Sequence, residues 1–308
     1  MFAPKNVILA AAAVALVVLI AVYVPVFWTG RNISSVLVST STIGLLAVGV
    51  SFTLAGKGLD ISLPAVMALS AVCGAKVMVN TQNLFVGILT MFAVAVLFGI
   101  VNGVACSVFK MYPFIVTMST MILAQGANSV ISKSVSVSGF PSEFVRIFNG
   151  SIGPVPVPIV VLILFTVVGY FLLNRSVFGR KIFAIGVNDK AAQICGIQVD
   201  KIKFLSYVAA SLYAGLVAVI LTARLKSASP LMASDNMNLD VLAAAVIGGV
   251  SMDGGTGNII GVFGGALLIN SLTTIMNLTG VGNFEAMVVK GLLVLAITYL
   301  DAARTRRK

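Results

Sequence analysis

The chain has 308 residues, 59% of them hydrophobic and 9% charged, with a net charge of +11, three cysteines and no histidine. A water-facing domain carries about 25% charge, so this composition excludes an ordinary soluble protein and indicates a multi-pass membrane protein. The basic residues sit at the ends of apolar runs, which argues against nucleic acid as a partner and for charges that orient spans in lipid.

The first apolar run covers about 7–28. It is too long for a signal-peptide core and no clear cleavage site follows, so it reads as an uncleaved first span. Further runs follow at about 33–55, 61–80, 84–109, 114–131, 155–174, 204–225, 239–252, 257–278 and 285–302. A helix needs about 20 apolar residues to cross a membrane. The expected fold is therefore all-α: a polytopic helical bundle of about ten spans (8–10), with some short or broken Gly-rich helices, in one transmembrane domain over 1–308. The run 239–252 is short and Gly-rich and reads as a broken or partial helix. The runs 33–55 and 61–80 can form one irregular unit around Gly56-Lys57-Gly58. With both termini cytoplasmic, 13 of the 20 Lys and Arg fall on the cytoplasmic side, as the positive-inside bias requires. The longest outer loop is then 132–154, and 175–203 is a cytoplasmic loop.

No glycine–lysine phosphate loop is present, so hydrolysis of nucleotide by that route is not expected of this chain. Cys73, Cys106 and Cys195 are unclustered, and no metal or catalytic constellation is expected. Gly49-Val50-Ser51 and Gly249-Val250-Ser251 each precede a glycine break; this echo reads as chance recurrence. Asp60 and Asp240 read as caps near helix N-termini at the membrane surface. Lys290 reads as a side chain snorkelling outward. The glycine pairs after 247 suit close helix approach or helix breaks.

The charges inside 178–203 need a further explanation. "NDKAAQICGI" (188–197) has helix grammar: Asn188 or Asp189 can cap, and Ala191-Ala192 favour helix. A short helix with a small-residue face suits a groove on another protein. A solvated basic loop that only fixes topology fits the same residues. Asn102, Thr117, Thr120, Asn128, Asn270 and Asn277 lie within or at the ends of spans. Each is a candidate for a polar solute pathway, or for interhelical hydrogen bonds. Phe114 after Pro113 is a candidate gate, or a lipid contact.

"FGRKIFAIGVNDKAAQICGI" (178–197) resembles the cytoplasmic coupling loop of ATP-binding-cassette importer permeases, in their ribose, xylose and galactose branch. The family's pattern runs approximately F-G-R-x-x-Y-A-I-G-G-N-x-x-A-A-x-x-S-G-I; Phe183, Val187 and Cys195 depart from it. "GKGLDISLPAVMALSA" (56–71), "VNGVACSVFKMYPFIVTMSTMILAQG" (101–126), "NLDVLAAAVIGGVSMDGGTGNIIGVFGGALLI" (238–269) and "KGLLVLAITYLD" (290–301) resemble further family segments in the same order. Pro64, Tyr112, Gln125 and Asn238 depart from the family's usual Gly, Pro, Arg and acidic residue. The resemblance implies a monosaccharide permease of a bacterial cytoplasmic membrane, for a pentose such as ribose. It implies a second permease subunit, cytoplasmic ATPase subunits that bind ATP and Mg, and an extracytoplasmic solute-binding protein. No cofactor is expected on this chain. Coupling falls to Gly179, Arg180, Ala184, Gly186, Asn188, Asp189, Ala191, Ala192 and Gly196. Permeases for nucleosides, autoinducers and branched-chain amino acids share the architecture, and an ion-coupled carrier is the competing class.

Overall fold

Helix α1 (Gly30–Ala55) ends where Gly56, Lys57 and Gly58 turn the chain. The computed structural model describes residues 24–233, 236–282, 284–292 and 295. The expected first span and the basic tail lie almost wholly outside the described residues. Gly58 donates its N–H back to the Thr53 carbonyl at 2.8 Å, and Lys57 takes a left-handed conformation (φ 60°). The break separates two helices rather than forming one unit. α2 (Leu63–Thr81) restarts with Pro64 in its first turn, where a missing N–H leaves no bond unmade. Asp60 prepares that restart from inside the protein, not at a surface. Its Oδ1 accepts from Ser62 N at 2.9 Å and Ser62 Oγ at 2.6 Å, and the residue is buried.

A tight turn joins α2 to α3 (Leu84–Ser107). Gln82 ends α2 in the left-handed region, and Asn83 Oδ1 accepts from the N–H groups of Phe85 and Val86 at 2.9 and 3.3 Å. α4 (Pro113–Ser132) starts on a proline. The long loop after it is partly ordered: α5 (Ser142–Phe148), the hairpin β1 (Ser151–Ile152) and β2 (Val155–Pro156), and an aromatic cluster of Phe140, Phe144 and Phe148. α6 (Val157–Tyr170) widens into a π-helical turn, Phe171–Arg175. After α7 (Val177–Val187) and α8 (Asp189–Ile194) comes α9 (Val199–Leu225), the longest helix among the described residues. α10 (Met237–Ile247), α11 (Ile259–Leu278) and α12 (284–292) follow.

The core lies on α1, α2 and α9, whose apolar residues are buried on almost every side. α3 packs on α9 and α2, α4 on α2, α6 on α1, and α10 and α11 on α1 and each other. Seven helices among the described residues are long and apolar enough to cross a membrane. α10 is not one of them. Its 11 residues reach about 16 Å, half of a bilayer core of about 30 Å. The chain continues as irregular backbone over 248–258, and protein groups satisfy it. Gly255 N–H donates to the Ala55 carbonyl at 2.9 Å. Asn174 Nδ2 donates to the Gly257 carbonyl at 2.8 Å, and its Oδ1 accepts from Ile259 N at 3.1 Å.

Three kinds of glycine stand out after 247. Gly248, Gly261 and Gly265 let α10 and α11 touch backbone to backbone. Gly249, Gly254 and Gly255 hold positive φ in the break. Gly264 faces open space. Gly49 sits mid-helix against Ala210, so it and Gly249 are not equivalent positions. The two ends of the molecule are distinct. One end gathers 56–62, 175–203 and 248–258. The other joins 132–154 to the segment after α9 through a bridge in which Val137 and Ala228 exchange hydrogen bonds at 2.8 Å.

Candidate coupling segment and solute path

Ser176 caps α7, its Oγ accepting the Gly179 N–H at 3.1 Å. A Cβ at Gly179 would run into the Leu173 carbonyl, so only glycine lets α7 fold back on the π-helical turn. Arg180 Nη1 donates to the Arg175 carbonyl at 3.0 Å, and Arg175 Nε donates to the Tyr170 hydroxyl at 3.0 Å. Ile182 and Ile185 are buried against the core. Gly186 lies against the Ala55 carbonyl and the Gly255 N–H. Lys57 Nζ reaches the Val187 carbonyl at 3.5 Å. The end of α7 is thereby clamped between the end of α1 and the 248–258 break.

α8 projects from that clamp. Asn188 Oδ1 accepts the Ala191 N–H at 3.0 Å, which starts the helix. Gly196, at φ +82°, ends it: Gly196 N–H donates to the Gln193 carbonyl and Ile197 N–H to the Ala192 carbonyl, each at 3.0 Å. This is a Schellman motif. Asp189 meets Lys203 at 3.6 Å in an exposed pair that contributes at most about 1 kcal/mol. Of the nine residues named from the sequence, Arg180, Asn188, Asp189, Ala191 and Gly196 are exposed. Gly179, Gly186 and Ala192 are buried and Ala184 half-buried, so these four seat the segment. Sequence reasoning omitted Val187 and Ile194, which are 69% and 87% exposed. Ala191 and Ile194 share a face by their spacing. That spacing was the available signal.

The seven path candidates do not come together. Asn102 is buried and its Nδ2 donates to Ser62 Oγ at 3.0 Å, beside Asp60. Thr117 is buried and donates to the Pro113 carbonyl at 2.9 Å and the Leu59 carbonyl at 3.1 Å. Thr120 donates to the Thr117 carbonyl at 3.2 Å. Asn128 is buried further along α4. Asn270 borders a cavity at the opposite end, beside Arg224, and Asn277 is exposed near the end of α11. Phe114 is half-exposed.

α4 also exposes polar residues that the sequence reading did not select, scattered among exposed apolar ones such as Met118, Ile122 and Leu123. Ser119, Gln125, Gly126 and Ser129 are exposed along it. The two hydroxyls donate to their own helix, at Ile115 O (2.8 Å) and Gln125 O (3.1 Å). The Gln125 amide makes no hydrogen bond among the described residues. By contrast, the exposed residues of α3 between Phe85 and Val101 and of α6 between Ile163 and Val168 are all apolar. Lipid satisfies those faces. The exposed Gln125 amide on α4 calls for water, solute or protein.

The pair Lys290–Asp240 corrects two expectations. Lys290 does not snorkel outward, and Asp240 is not simply a surface cap. Lys290 Nζ meets Asp240 Oδ2 at 2.8 Å, with both side chains largely buried, and ties α12 to the first turn of α10.

Residues 32–298 match the family described as branched-chain amino acid transport system / permease component. The chain is 35% identical to the ribose import permease protein of Bacillus subtilis over 292 residues, 94% of this chain and 90% of that protein. It is 34% identical to the D-allose transport system permease protein of Escherichia coli, covering 89% and 84% of the two chains. It is 32% identical to the L-arabinose transport system permease protein of Escherichia coli, covering 94% and 88%. No solved structure matches the chain.

Proposed function

The chain belongs to the family of branched-chain amino acid transport system permease components, and from that premise we propose that it is the membrane-spanning subunit of an ATP-binding-cassette importer for a monosaccharide, with ribose as the first candidate solute. Similarity across nearly the whole chain to permeases named for ribose, allose and arabinose carries this reading. The projecting α8 supports it geometrically. α8 is capped at both ends and follows directly on the end of α7, which Gly186 clamps to α1 and to 248–258, so a push on α8 from outside the bundle reaches two of its breaks.

In this proposal the whole chain is one permease domain of about ten spans, with both termini cytoplasmic, in the bacterial cytoplasmic membrane. The loop 175–203 faces the cytoplasm and docks on ATPase subunits, which bind ATP and Mg; the chain itself holds no cofactor and performs no hydrolysis. A second permease, identical or related, completes the path, and a soluble binding protein delivers solute at the 132–154 side. The exposed side of α4 lines that path, where Ser119, Gln125 and Ser129 exchange hydrogen bonds with solute hydroxyls without trapping them.

Purification of the full chain from its host in mild detergent tests the coupling. Wild type is expected to retain an ATPase. The double variant Ala191→Arg with Ile194→Glu is expected to lose it while keeping the same melting transition. Absence of an ATPase from wild type, under conditions that preserve other membrane complexes, would sink the reading.

A further inference from the structure

Arg224 lies near the end of α9, half-buried, on the side away from α8. An intramembrane or near-membrane arginine needs partners. Two of its five donor hydrogens are used: Nη1 reaches the Val38 carbonyl at 3.4 Å and Nη2 reaches Ser39 Oγ at 3.2 Å. It meets no carboxylate among the described residues. Arg224 borders a cavity of about 270 Å3 whose polar wall is Ser39, Arg224 and Asn270. Leu221 and Met237 stand on its apolar wall. Asn270 Nδ2 donates to the Ala266 carbonyl at 3.0 Å, and its Oδ1 accepts nothing from the described residues.

We propose that this cavity is a binding subsite for one ring of a neutral, polyhydroxylated solute, with Arg224 donating to two adjacent hydroxyl oxygens. The inference rests on the importer reading and deepens it. The volume falls below the roughly 300–1,000 Å3 of drug-sized sites, so it suits a single ring. The unused groups select the chemistry. Asn270 Oδ1 only accepts. An acceptor in the wall needs a donor on the ligand. A hydroxyl supplies one; a carboxylate or a phosphate dianion does not. The apolar wall covers the C–H face of a ring. A guanidinium also holds neutral hydroxyls less tightly than an anion, so the solute can leave again. The permease chain then discriminates among solutes itself, in addition to whatever delivers them.

The test uses the full chain in lipid nanodiscs and saturation-transfer NMR with D-ribose, L-arabinose and D-allose, and with D-ribonate and ribose 5-phosphate as anionic probes. At least one neutral sugar is expected to bind, and Arg224→Gln and Asn270→Leu are each expected to weaken it at least about fivefold. Gly264→Ala, at an exposed position with open space around it, is expected to leave binding unchanged. Unchanged binding in both cavity variants, binding of the anionic probes alone, or no binding of any probe would overturn the subsite. If Arg224→Gln fails to fold, Asn270→Leu decides, since it removes the acceptor at similar volume. The two readings fail separately: a preparation that keeps its ATPase but binds no sugar loses the subsite alone, and one without an ATPase loses the importer reading.

Discussion

At the end that carries α8, backbone meets backbone: Gly186 fits between the Ala55 carbonyl and the Gly255 N–H with no room for a methyl group. At the opposite end the walls stand apart, and Arg224 and Asn270 border open space. The first arrangement suits transmission of displacement, because close-packed contacts do not absorb it. The second suits a guest. One chain thus divides a stiff end from a receptive one, and the difference is set by small residues at one end and unpaired polar groups at the other.

The largest expected effect comes from a pair that anchors α10 between the two ends. Lys290→Met leaves Asp240 buried without its partner and should lower stability by about 3 kcal/mol. Asp240→Asn added to it should restore much of that. Thermal melting of the purified variants checks both; equal melting of the single variant and wild type would show that the pair is not needed. Gly186→Ala should come next, at about 1–3 kcal/mol, because its Cβ meets backbone atoms that cannot step aside. Gly264→Ala should be neutral or stabilising by about 0.5–1 kcal/mol. If the two glycine variants behave alike, the stiff end is not stiff.

Two smaller effects concern surfaces. In a variant lacking the native cysteines, Gln125→Cys and Ser129→Cys on α4 should react with a water-soluble thiol reagent, whereas Leu97→Cys on α3 and Ile163→Cys on α6 should not. Equal protection of all four would place the α4 face in lipid. The α8 variant Ala191→Arg with Ile194→Glu should change stability by no more than about 0.5 kcal/mol, while removing the ATPase from the purified chain.

The sequence made the helices legible because lipid demands long apolar runs, and their ends because glycine, proline and asparagine mark them. Asn83, Asn188 and Gly196 act locally as their types suggest. What it hid was direction. In a water-soluble helix a polar stripe marks the outside. In lipid both sides of α4 are apolar around scattered polar residues, so Thr117, Thr120 and Asn128 looked as eligible as Ser119, Gln125 and Ser129. Only packing against α2 separates the two sides. The Asp240–Lys290 pair joins positions too far apart for any local pattern. Arg224 stands out only through its neighbours from α1 and α11, which the fold brings beside it.

The most direct measurement is accumulation of labelled ribose by host cells lacking this chain and complemented with wild type or with the α8 variant. Uptake should return with wild type alone and should persist when ion gradients are dissipated while cellular ATP is maintained. Uptake that collapses with the gradient, or that the α8 variant restores in full, would contradict a permease driven through α8 by a partner ATPase.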